Sequence, residues 1–154
     1  MTNDERPMKN LLDAVGNGAG VSLRPEEFVN IERDCEHFKL TIREIQRTMD
    51  RVARHSTWNL GENHPLMVSG QTVVDRFRKK AAGSGDGNDV HAVMEQHYKI
   101  VEDIQEVHRI VRQRMMDTDA DFASEFQRLS TELEERPPVQ PKLGPYLLPD
   151  GSAR

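Results

Sequence analysis

The stretch Phe28–Val52, FVNIERDCEHFKLTIREIQRTMDRV, sets an apolar side chain at alternating steps of three and four: Phe28, Ile31, Cys35, Phe38, Ile42, Ile45, Met49 and Val52. Residues three and four apart lie on one side of an α-helix, so the pattern holds a narrow stripe on one face for about three and a half heptads. A stripe of that width reads as a packing seam against other helices rather than as the broad face of one large core. Pro25 presets the backbone of a first helical turn, Ser22 stands just upstream, and Glu26 and Glu27 place negative charge where the helix dipole is positive. A first helix is expected from Pro25 to about His55.

Downstream, Ser56, Thr57, Trp58, Asn59, Leu60 and Gly61 interrupt the pattern, and Asn63, His64 and Pro65 follow as punctuation. Leu66, Val73, Val74, Phe77 and Ala81 predict a second, shorter helix that stops at Gly83-Ser84-Gly85-Asp86-Gly87, a glycine-rich linker. Asn88 or Asp89 can cap a third helix along Val90, Met94, His97, Val101, Ile104, His108, Val111 and Met115. Phe122, Phe126, Leu129 and Leu133 resume the same face beyond the polar step Asp117-Thr118-Asp119. The third helix is therefore expected to reach Glu135, on the order of 70 Å at 1.5 Å per residue.

The expected class is all-α: an antiparallel helical hairpin with a short middle helix and a long C-terminal helix. Residues 1–22 read as a flexible N-terminal arm, because Gly16, Gly18 and Gly20 follow one short apolar group, Leu11, Leu12, Ala14 and Val15. Residues 23–135 form the helical hairpin domain. Residues 136–154 read as a Pro-rich disordered tail, since prolines at 137, 138, 141, 145 and 149 forbid a helix. Within that tail Tyr146, Leu147 and Leu148 form an apolar docking motif candidate. Helices one and two are too short to cover both sides of so long a third helix, and the leftover apolar surface implies a homo- or heterodimer that completes a bundle.

Composition narrows the function. A formal charge of −5 does not suit a general nucleic-acid binder. The basic cluster Arg76, Arg78, Lys79 and Lys80 fits a helix C-terminus, where the dipole favours cations. Cys35 is the single cysteine, sits in the apolar seam and reads as a buried small hydrophobe. No stretch reaches the ~20 apolar residues of a membrane span. Met1–Pro7 is polar and acidic where a secretory leader would be basic and then apolar.

The chemistry of an enzyme is not legible. None of His37, His55, His64, His91, His97 and His108 pairs at the three- or four-residue spacing that two metal ligands on one helix require, and no metal or cofactor is expected. No phosphate-binding glycine loop or nucleophile elbow occurs. Asp117, Asp119 and Asp121 match a calcium loop for three positions only.

The turn Trp58-Asn59-Leu60-Gly61 and the run Tyr98-Lys99-Ile100-Val101-Glu102, in this order and on helices, resemble the WXG family of helical-hairpin proteins handled by type VII secretion systems. In that family a seamed helix ends at a Trp-x-Gly turn, and a Tyr-x-x-x-Asp/Glu signal follows on the returning helix. The resemblance implies that Trp58 and Gly61 form the hairpin turn and that Tyr98 and Glu102 serve as a secretion signal read by a secretion ATPase. A second register is Met115-Met116-Asp117-Thr118-Asp119, with Met115 where the signal has Tyr. The turn holds one residue more than the family pattern, and the chain is longer than the usual hairpin. The expected function is non-enzymatic association, as a type VII secretion substrate or export partner, cytoplasmic before export without a cleaved signal peptide. The alternative is a cytoplasmic coiled-coil adaptor or assembly chaperone that docks through its tail.

Overall fold

A computed structural model describes residues 8–16, 24–135 and 137. They form five helices in the order α1 Lys9–Gly16, α2 Pro25–Ala53, α3 Val68–Ala81, α4 Val90–Thr118 and α5 Ala120–Glu132, with no strand among the described residues. The all-α class follows directly. α2 and α4, each 29 residues, run antiparallel. Their direction is fixed by polar pairs whose numbers rise on one helix as they fall on the other: Glu32 with Arg112, Lys39 with Gln105, Arg43 with Glu95 and Gln46 with His91.

α2 begins where the sequence places it. Pro25 is its first residue, and the Glu27 carboxylate reaches back to accept from the Arg24 backbone N–H at 2.8 Å, satisfying one of the first-turn donors that have no partner within the helix. That hydrogen bond holds the Glu27 carboxyl below its usual range. Ser22 lies outside the described residues.

The long third helix is broken. α4 stops at Thr118, and Asp119 takes an extended backbone (φ −136°, ψ 106°) whose carboxylate accepts from the N–H groups of Asp121 and Phe122. A side-chain cap of this kind starts a new helix, so Asp119 ends one element and opens the next. The apolar period reads straight through this joint because Phe122 and Phe126 keep the spacing while the backbone changes direction.

Breaking the helix lets α5 pack against α2 as well as α4. Phe122 meets Phe28 edge-on, ring centroids 5.7 Å apart, in a core shared with Val15, Val107 and Val111. Leu12, Ile110, Met115, Met116 and Phe126 pack around it.

Val15 comes from α1, inside the stretch 1–22 expected as a flexible arm. It is among the most buried side chains described. α1 docks on α4 through this side chain. The buried Asp103 carboxylate accepts from the Met8 N–H at 3.0 Å, and the Arg114 guanidinium donates to the Val15 carbonyl. Short apolar groups such as Leu12 and Val15 are too few to make a stable helix alone, and contact with α4 supplies the rest.

Within the seam, Phe28, Cys35 and Ile42 are buried, Ile31, Ile45, Met49 and Val52 are half-buried, and Phe38 is 49% exposed. Gln46 explains the offset. It stands five turns beyond Phe28 at the same angular position. It is buried, and its amide donates to the His91 carbonyl and the Glu95 carboxylate. α4 therefore meets α2 along a line displaced from the seam toward Glu32, Lys39, Arg43 and Gln46, which leaves Phe38 on the far edge. Cys35 keeps a raised pKa because burial disfavours its thiolate.

Candidate association surfaces

The end of the molecule opposite the aromatic core is held by polar groups. Where α2 runs out, the His55 carbonyl accepts from Trp58 Nε1 at 3.2 Å and from the Arg78 guanidinium at 2.7 Å, and Arg78 also donates to the Ser56 carbonyl. These bonds satisfy carbonyls of the loop just beyond the α2 C-cap, Arg54. The basic residue read from sequence as a helix-end cation thus ties down the loop that follows α2.

The loop that follows curls around one carboxylate. Glu62 accepts from the consecutive N–H groups of Trp58, Asn59 and Leu60, which pulls its pKa below the usual range. Gly61 has φ +82°, a conformation that suits glycine. α3 then crosses so close that a Cβ on Gly70 would lie 2.3 Å from the Leu60 carbonyl oxygen. Only glycine fits there. Trp58 stacks on Phe77 of α3 (5.8 Å, 12° between planes) and meets His55 edge-on. Trp58 and Gly61 do stand together in the turn, and Trp58 packs chiefly on α3.

The return to α4 is fixed by a second carboxylate. Asp89 is buried and accepts from Gly83 N–H, Ser84 N–H, Ser84 O–H and Ala92 N–H, so it caps α4 and gathers the linker at once. Its pKa is lowered to about 2, first by the Ala92 and Ser84 backbone donors.

Between Leu60 and Phe77 this polar framework leaves Leu60, Leu66, Met67, Val68, Val73 and Phe77 exposed, Leu66 at 82% and Phe77 at 54%. α3 buries only Gly70, Val74 and Ala81. Of the apolar residues that predict the second helix, Val74 and Ala81 are packed, while Val73 and Phe77 flank the contact, because Gly70 brings the backbone in so far that the small residues alone fill it. Val73, Arg76, Phe77 and Lys80 line a groove of about 270 Å³. The clue available in sequence was the basic cluster lying beside Val73 and Phe77.

Tyr98 and Glu102 sit elsewhere, in the middle of α4. Tyr98 is half-buried with the Arg43 guanidinium 3.8 Å over its ring, a cation–π contact, while Glu102 is exposed and lines a charged groove of about 430 Å³ with Lys39, Lys99 and Glu106. In the second register, Met115 and Met116 pack at the core, Thr118 donates to the Arg114 carbonyl, and Asp119 caps α5. His97, expected on the apolar stripe, is exposed. His108 is half-buried with its Nδ1 lacking a hydrogen bond. The tail motif Tyr146, Leu147 and Leu148 lies outside the described residues.

No three His, Cys, Asp or Glu side chains gather to hold a metal among the described residues, and no described helix is long and apolar enough to cross a membrane. The chain matches no known family model, no curated protein and no solved structure.

Proposed function

We propose that this protein acts by association with another protein, through the apolar surface of the loop and α3, as a helical hairpin of the type VII secretion kind that is exported or escorts an exported partner. One observation carries the reading: exposed large apolar side chains are concentrated between Leu60 and Phe77 on a backbone fixed by Glu62, Asp89, Arg78 and Gly70. A contiguous apolar patch on an ordered surface marks an interaction site, since its exposure to water is costly until a partner covers it. The Trp58–Gly61 turn supports the family comparison. The partly covered Tyr98 leaves Glu102 and the end of α4 as the parts of the two signal registers most open to a secretion ATPase.

Co-expression with the products of adjacent genes, followed by light scattering on the purified material, tests the association. The expected result is a complex heavier than the 17.6 kDa chain. A lone monomer at every concentration and with every neighbour overturns it. Export that survives deletion of 136–154 but fails in Tyr98→Ala or Asp119→Ala supports the secretion reading. Partner loss on deleting that tail, with helix content unchanged, supports the tail-docking adaptor instead.

A further inference from the structure

Building on that association reading, we infer that the α3 groove receives an acidic amphipathic helix from a partner protein, one apolar side chain seating between Val73 and Phe77 while flanking carboxylates pair with Arg76 and Lys80. The first argument is charge. Four basic residues stand against the single acid Asp75 between Leu66 and Lys80, in a chain whose formal charge is −5. Asp75 is already paired to Lys79 at 2.9 Å, and Arg78 is consumed by the His55 and Ser56 carbonyls. Arg76 makes no ion pair among the described residues, and Lys80 spends one hydrogen bond on the Asn88 carbonyl. Arg76 is the cation left over, and Lys80, exposed on the same rim with Asp86 in electrostatic reach, adds a second positive charge beside the apolar groove.

The second argument is shape. Val73 and Phe77 stand four residues apart, so they form a ridge along one flank of α3, with Arg76 and Lys80 on the next row. A ridge with a concave seat of about 270 Å³ accepts the i, i+4, i+7 side chains of a second helix. A lipid surface would need no such concavity. The protein's own tail, 136–154, holds Arg136, Lys142 and Arg154 against the single acid Asp150, so it lacks the complementary charge.

Trp58 is the only tryptophan and its ring lies against Phe77, which makes its fluorescence a direct reporter. The full chain is titrated with a synthetic amphipathic helical peptide carrying Leu at i, i+4 and i+7 and Glu on either side, at low and at physiological salt. The expected result is a saturable change in Trp58 emission that weakens with salt. The Arg76→Glu, Lys80→Glu double variant, whose sites are exposed, should bind at least 10-fold more weakly with an unchanged circular dichroism spectrum. Equal binding of a peptide with Lys in place of Glu overturns the proposal, as does an unchanged affinity in the double variant. It is also overturned if the peptide gives no signal, whether anionic vesicles of phosphatidylserine and phosphatidylcholine bind in its place, the protein self-associates, or nothing binds. A natural complex that forms equally well with the double variant overturns this inference and leaves the association reading standing.

Discussion

The two ends of the α2–α4 hairpin are closed by opposite means. At one end α1 and α5 fold onto Phe28, Val107 and Val111 and bury aromatic and aliphatic side chains from four helices. At the other, α3 buries only the side chains of Val74 and Ala81 and stacks Phe77 on Trp58, and the backbone there is fixed chiefly by hydrogen bonds to carbonyls and by two carboxylates that collect N–H groups, while Leu66, Val68 and Val73 stay outside. Apolar burial is non-directional and scales with area, so the first end resists change in proportion to the volume removed. Polar caps are directional and individually modest, so the second end can keep a precise backbone without hiding its apolar surface. On the association reading proposed above, that division keeps the fold while an apolar face stays exposed.

The largest effect is expected from Phe28→Ala, which removes the ring between Phe122 and His108 and should cost about 3–5 kcal/mol in urea unfolding. A cost below about 1 kcal/mol would break the picture of a core anchored at that end. Gly70→Ala forces a methyl against the Leu60 carbonyl and should cost about 1–3 kcal/mol. Its distinctive signature is a shift in Trp58 emission and faster amide exchange in α3, with α4 exchange little changed. Uniform loosening of both helices would mean that the two ends are one cooperative unit.

Asp89→Ala removes a helix cap and should cost roughly 1–2 kcal/mol. The Asp89 pKa is depressed in the fold, so its contribution is complete above the ordinary value of 3.8 and disappears as pH falls toward about 2. The wild-type protein should therefore lose an increment of stability across that window which Asp89→Ala lacks. A smaller step belongs to the other end. Burial lowers the His108 pKa, against a weaker opposing pull from Glu32, so the unfolded chain binds the proton more readily. Stability should fall as pH drops below about 6.5, the ordinary histidine value, and His108→Leu should flatten that slope. An equal slope in His108→Leu would assign it to other groups. Leu66→Ser, at the most exposed site, should change stability by less than about 0.5 kcal/mol while weakening partner capture in a pull-down.

The helices were legible where local chemistry decides them. Pro25 at the start of α2, the glycines after Ala81 and the Asp89 cap are recorded in single residues and their neighbours, and the structure keeps each. α1 was illegible because its stability comes from Val15 meeting α4, a contact between residues far apart in the chain. The α4–α5 break was half legible. Asp117-Thr118-Asp119 marks a polar step, but whether an Asp interrupts a helix or rides on its surface depends on what the following segment can reach.

By itself, then, the sequence determined the all-α class and the helix starts at Pro25 and Asp89, because spacing and capping act within a few residues. Tertiary structure alone decided which seam residues α4 covers, that Arg78 binds the loop carbonyls after α2, and that Gly70 draws α3 in until Val73 and Phe77 are left outside. Those outcomes turn on how closely two backbones can approach, and that distance is set by side chains the chain brings together only when folded.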